Sequence, residues 1–269
     1  MARIITITSG KGGVGKTTIT ANLGTSLALM DKKVCLIDAD FGLCNLDLLL
    51  GLKERVIFDI GDYFNGDCTL DNILVKDKRL SNLHFIPGFK EYSNTEIAPD
   101  ALKRLISELE DGYDYLLIDS PGGIEQGFQN AVTAAEEAIV VTTPEKTALQ
   151  DADRIVGMLD EQLETSPLLI INRYCEKETQ FTVEDIISLL NIELLEVIPE
   201  DAEIMKSIHH QVPIALDTRQ ENGLRFRHIA RNLLTDKLHL FVSRKQTGKQ
   251  SFHVPVIKKV MKHLKISSL

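Results

Sequence analysis

The chain has 269 residues, of which 43% are hydrophobic and 26% charged, with only 17 glycines and 8 prolines, a balance that excludes disordered and fibrous classes and supports a sizeable buried core. Its formal charge of −9 is uneven, because eight Lys or Arg residues and no carboxylate follow Asp236, giving that segment +8 and the remainder −17. An acidic body argues against a broad nucleic-acid surface and places an anionic partner at the C-terminus.

In chain order, an Ile-rich run at 4–8 predicts a first strand that passes straight into a glycine loop, with no room for a targeting peptide. A helix at 16–30 and a strand at 34–38 follow. Between 56 and 107 the pattern is less specific and yields a strand at 83–87 and a helix beginning at 99 that ends at 110. Strands at 115–119, 138–143, 168–172 and 194–199 then alternate with helices at 127–136, 149–163, 183–190, 201–209 and 222–241. Strands made of continuous Ile, Val and Leu are buried on both faces, so the alternation predicts an α/β fold. Its sheet is mostly parallel and twisted, with helices on both faces. This domain spans 1–242, a polar flexible linker spans 243–252, and 253–269 form an amphipathic helix with Pro255 in its first turn. No apolar run approaches the length of a membrane-spanning helix.

Directly after the first strand stands Gly10-Lys11-Gly12-Gly13-Val14-Gly15-Lys16-Thr17, followed by Thr18. This is a phosphate loop in its required strand-to-helix setting and makes the domain a single P-loop domain. Small glycines let backbone N–H groups close on phosphate oxygens, Lys16 neutralises the β- and γ-phosphates, and the Thr17 hydroxyl ligates Mg²⁺. Lys11 is a second cation, free to point out of the cradle. Asp38 and Asp40 lie at the carboxyl end of the second strand, where ligands sit in parallel sheets, and Asp119 ends the apolar strand at 115–119. A lone carboxylate at the end of a buried strand is costly to desolvate and therefore points to a cation.

The motif Gly-Lys-Gly-Gly-Val-Gly-Lys-Thr resembles the deviant Walker A loop of the ParA/MinD ATPase family. The resemblance implies ATP and Mg²⁺ as cofactors, an ATP-bound homodimer in which Lys11 reaches the partner's nucleotide, and a catalytic set of Lys11, Lys16 and Asp40. In it Asp40 positions the attacking water, while Asp38 and Asp119 serve the metal with Thr17. Asn172 and the run Pro199-Glu200-Asp201 match the family's adenine-binding positions; on its residues alone Asn172 reads equally well as a turn cap. Residues 40–47, 119–121, 151–155 and 197–201 are similar to the branch of the family that selects the division site. That likeness implies a surface at Asn45 and Asp151 for a MinC-like division inhibitor and a MinE-like topological factor. By itself Asp151 reads as a helix N-cap or a solvated position. Where members commonly carry arginine this chain has Cys44, so contacts of that arginine are not carried over.

In the tail, Val256, Ile257, Val260, Met261 and Leu264 fall within about 140° of a helical wheel, and Lys258, Lys259, Lys262 and Lys265 occupy the opposite arc. A basic amphipathic helix after a linker predicts binding to an anionic membrane surface. The expected protein is thus a dimerising, membrane-associating ATPase that recruits a division inhibitor and is released on hydrolysis. It would be peripheral on the inner face of the cell membrane, or in the plastid stroma and on its inner envelope. The alternative is a DNA-partition ATPase of the same fold; the acidic body disfavours it and any nucleic-acid partner. Cys35, Cys44, Cys68 and Cys175 form no Cys-x-x-Cys pair, which disfavours iron–sulfur relatives and disulfides and fits a reduced compartment.

Overall fold

The computed structural model describes residues 1–41, 44–89 and 100–241. Strand β1 (Arg3–Ser9) leads into helix α1 (Lys16–Ala28) and strand β2 (Val34–Asp38), then short helices α2 (Leu46–Leu50), α3 (Ile60–Asn65) and α4 (Leu70–Ile73). Strands β3 (Val75–Lys76) and β4 (Leu83–Ile86), helix α5 (Ala101–Leu109) and strand β5 (Tyr115–Gly122) follow. The chain continues through α6 (Gln126–Thr133), β6 (Glu137–Thr142), α7 (Lys146–Gln162), β7 (Leu168–Tyr174), α8 (Val183–Leu190), β8 (Glu193–Pro199), α9 (Ala202–His209) and α10 (Glu221–Thr235).

The sheet runs β3-β4-β2-β5-β1-β6-β7-β8 and is parallel except for the β3–β4 pair. Alternate residues of each central strand feed opposite faces. Ile5, Leu36 and Leu117 pack with Ile19, Leu23 and Leu27 of α1 and with Phe226 and Ile229 of α10. Ile4, Ile37, Leu116 and Ile118 pack on the other side with Leu102, Leu105 and Ile106 of α5. A third cluster joins β6 and β7 to α6, α7 and α8. Because β1 is central and flanked by β5 and β6, the loops after β1, β2 and β5 open at one edge in the middle of the sheet.

Several expectations change. Strand β5 runs on to Gly122, three residues past the predicted end at Asp119, and α6 stops at Thr133, three residues before 136. Helix α10 stops at Thr235 rather than 241, because Asp236 takes a left-handed conformation (φ 49°) that ends the helical ladder. Helix α7 begins at Lys146, three residues before the predicted start. The short α2–α4 helices and the two-residue antiparallel β3 were not predicted, being too short to show a period. The linker 243–252 and the amphipathic helix 253–269 lie outside the described residues.

Past α10 the chain returns to the sheet. Glu196 of β8, 1% exposed, accepts from Arg225 Nη1 at 3.0 Å and from the Phe241 backbone N–H at 3.1 Å, and His228 Nδ1 lies 3.4 Å from it. The Arg225 guanidinium stacks over the Phe241 ring at 4.7 Å. A buried carboxylate is tolerable only with such partners, and here they tie the point where the tail begins to β8 and α10.

Candidate nucleotide site

Gly15 (φ 102°, ψ 22°) takes the cap position of α1 with no side-chain cap, and Gly13 is also left-handed (φ 79°). The first N–H groups of α1 therefore have no side-chain partner and can receive an anion. A β-carbon on Gly15 would collide with the Asn172 amide, and one on Gly10 with the Asp151 carbonyl. Glycine at these two positions is set by close packing against β7 and α7 as well as by the turn.

Lys16 is 6% exposed and its Nζ donates to Ser9 Oγ at 3.0 Å. Burial lowers its pKa, while the Asp119 and Asp40 charges oppose that. Asp38 and Asp119 face each other in register across β2 and β5. Burial, then the Asp119 charge, push Asp38 well above its ordinary range, although it accepts from Asp40 N–H at 3.2 Å and Leu46 N–H at 3.3 Å. Burial likewise raises Asp119, to about 7, against the Thr17 hydroxyl and the Lys16 charge. Asp40 is raised by burial and pulled down by Lys16. The Thr20 hydroxyl donates to Asp119 Oδ1 at 3.3 Å, whereas Asp119 Oδ2 is buried without a hydrogen-bond partner. An orphaned carboxylate oxygen beside a phosphate loop and the Thr17 hydroxyl fits a hydrated Mg²⁺.

A carboxyl whose pKa rises on folding binds more protons in the folded than in the unfolded state between 3.8 and about 7, so the ligand-free protein loses stability as pH rises through that window. Asp119→Asn removes the buried charge at constant shape. Its melting temperature in the absence of nucleotide is expected to exceed the parent's by a few degrees at pH 8 and to approach it at pH 5. An identical difference at both pH values would mean that the charge of Asp119 is not what costs stability.

Lys11 turns away from the cradle. Its Nζ lies 2.9 Å from Glu145 Oε2 and 3.1 Å from Thr147 Oγ1, at the start of α7. Ser9, Thr20, Glu145 and Thr147 were not singled out from sequence. Ser9 and Glu145 had a positional signal, since Ser9 ends β1 and Glu145 follows β6, both at the carboxyl ends of parallel strands. Thr17 and Thr18 are half-buried on the first turn of α1, where the Thr18 carbonyl accepts from Asn22 Nδ2 at 2.8 Å.

Asn172 is buried beneath the phosphate loop and donates from Nδ2 to the Val14 carbonyl at 2.7 Å, so its amide braces the cradle and does not cap a turn. Pro199, Glu200 and Asp201 border a cleft of about 550 Å³ together with Asn222 and Phe241. Asp201 caps α9 through Glu203 N–H at 2.9 Å and accepts from Asn222 Nδ2 at 2.8 Å. Asn45 is exposed at the start of α2. Asp151 is not an N-cap: it lies in the second turn of α7, with its backbone against Gly10 and its carboxylate 3.8 Å from Arg154.

A family model described as "AAA domain" matches residues 2–173, and one described as "4Fe-4S iron sulfur cluster binding proteins, NifH/frxC family" matches 98–252. The second span holds a single cysteine, Cys175, and no group of three or more His, Cys, Asp or Glu among the described residues is arranged to hold a metal ion. The septum site-determining protein MinD of Synechocystis is 48% identical over 238 residues, 87% of this chain and 90% of its own. The structure titled as a MinC:MinD cell division protein complex from Aquifex aeolicus matches with a TM-score of 0.82 at 39% identity, over 90% of this chain and 99% of that one. MinD of Pyrococcus horikoshii, titled as complexed with Mg-ADP, matches with a TM-score of 0.80 at 33% identity, over 87% and 96%. A phosphate loop with two lysines, Asp38 and Asp40 at the carboxyl end of β2 with Asp119 in register beside them on β5, and these likenesses over almost the whole described chain have one reading: the chain belongs to the MinD family of septum site-determining proteins, P-loop ATPases of the ParA/MinD group.

Proposed function

We propose that the protein is an ATP-switched membrane ATPase that dimerises around ATP, sits on an anionic membrane through its tail, recruits a MinC-like division inhibitor there, and is released when ATP is hydrolysed. The observation that carries this reading is the buried Lys16–Asp38–Asp119 cluster under an uncapped helix start, in a chain whose last segment is cationic and amphipathic. Mg²⁺ would be held by Thr17 and, through water, by Asp38 and Asp119; its chemistry there is charge neutralisation on the β- and γ-phosphates. Lys16 supplies a fixed positive charge, and the N–H groups of the first turn of α1 supply donors that need no reorganisation. Asp40, at the rim and only half-buried, is the carboxylate left to orient the attacking water. The run 199–201 would meet the adenine, and Asn172 would do so only through its amide oxygen, since its Nδ2 is given to the Val14 carbonyl.

Two tails on one dimer engage a membrane far more strongly than one, because the second binds at high effective concentration. The discriminating experiment is sedimentation with anionic vesicles in ATP, ADP and no nucleotide. Pelleting confined to ATP supports the reading, whereas pelleting in all three states or none defeats it. MinC-like and MinE-like partners would compete on α7 around Asp151, with Asn45 nearby in function.

For Lys11→Ala the expected result is ATP affinity within about threefold of the parent but no ATP-dependent dimer and no dimer-dependent turnover, since Lys11 stands outside its own cradle against Glu145 and Thr147. Equal loss of ATP affinity in Lys11→Ala and Lys16→Ala, read by nucleotide titration, would show that both lysines serve one subunit's phosphates.

A further inference from the structure

Resting on the assignment of Asp40 to the attacking water, we infer that Phe89, outside every recognised motif, is a positioning residue for that carboxylate, acting with Phe41 and the Cys44 thiol as a clasp on the Asp40 turn. Asp40 lies just past the last ladder bond of its strand, in which Ala39 N–H donates to the Asp119 carbonyl at 2.9 Å. Its own N–H is held by Asp38 Oδ1, and that fixes one side of the turn. The other side is held from β4. The Phe41 and Phe89 rings stack at 4.7 Å with planes 16° apart. Buried Cys44 places its Sγ 3.5 Å from the Asp40 carbonyl and 3.3 Å from the Phe89 carbonyl, so its single S–H can donate to either strand of the clasp.

The approach leaves no slack. A β-carbon on Gly88 would lie 2.7 Å from the Asp38 carbonyl oxygen and 2.8 Å from Cys44 Sγ, so residues 87–89 are pressed onto the Asp38–Asp40 turn. A half-buried carboxylate on a turn with one ladder bond has several rotamers and backbone settings available. An offset aromatic stack with a thiol bridge narrows them to the one facing Lys16 and the phosphate loop.

The test uses the full chain at saturating Mg-ATP with anionic vesicles. Phe89→Ala is expected to lower kcat about tenfold or more while KM and ATP affinity change less than about twofold, because misplacing a water-orienting group affects the transition state and not ground-state binding. Phe89→Tyr keeps the stacking face and is expected to turn over near the parent rate. Phe89→Leu keeps apolar volume without that face and is expected to behave like Phe89→Ala, which covers the case in which the alanine variant fails to fold. In an Asp40→Ala background, Phe89→Ala is expected to leave the residual rate within about twofold, since nothing remains to position. A raised KM at unchanged kcat, or the same tenfold loss on top of Asp40→Ala, would overturn the clasp while leaving Asp40 in its role. Asp40→Ala at the parent rate would remove both the role and the clasp that rests on it.

Discussion

Lys16→Ala is expected to abolish measurable ATP binding, with Kd for nucleotide rising more than a hundredfold. The lysine is almost fully buried at the base of the loop, where a charge-assisted bond to phosphate is worth about 3 kcal/mol or more, and the loop's other lysine, Lys11, is engaged at α7. The fold should survive. Its Nζ has one neutral partner, Ser9, and the carboxylates it opposes, Asp119 and Asp40, can take up protons when its charge is removed. Isothermal titration with ATP and a thermal melt separate the two effects. Binding retained within tenfold would move phosphate recognition to the backbone N–H groups of α1, and an unfolded variant would make Lys16 a structural residue first.

The second large effect is expected at the tail. Ile257→Glu and Leu264→Glu each lose the burial of one apolar side chain, about 1.5 kcal/mol, and add about 1 kcal/mol of repulsion from anionic lipid. Two copies per dimer double the loss, to about 5 kcal/mol, or more than a thousandfold in vesicle affinity. ATP binding and ATP-dependent dimerisation are expected to be unchanged. Unaltered vesicle binding with a melting temperature several degrees lower would make the helix a packed part of the core and would favour the DNA-partition alternative.

Much of the architecture is legible in sequence because buried parallel strands consist of unbroken apolar runs. The runs at 4–8, 34–38 and 115–119 correspond to β1, β2 and β5, and the helix at 183–190 coincides with α8. The phosphate loop is legible for a different reason: its chemistry constrains residue types at fixed spacing, so Gly10, Gly15, Lys16 and Thr17 announce themselves without coordinates. The carboxylates Asp38 and Asp119 are equally visible, each closing an apolar run, although β5 continues past Asp119 to Gly122. Their cross-strand pairing is not, because β2 and β5 are neighbours in space and about eighty residues apart in sequence.

Tertiary structure alone decided what depends on contacts between distant segments. Nothing near Asn172 in sequence says that its amide braces Val14, 158 positions away, nor that Lys11 meets Glu145 across 134. Glu196 reads as a polar interruption of a strand until α10 delivers Arg225 and His228 to it. The end of α10 at Thr235 is a matter of one left-handed residue, Asp236, and although Asp enters that conformation more readily than most side chains, it does so at few of its positions. Phe89 has no motif at all, and Cys44 shows in the sequence only as a departure from the family's arginine: their relation to Asp40 exists only because β4 lies beside β2. Local patterns record burial and turn chemistry; long-range pairing is set by how the whole chain minimises exposed apolar surface and unpaired polar groups at once.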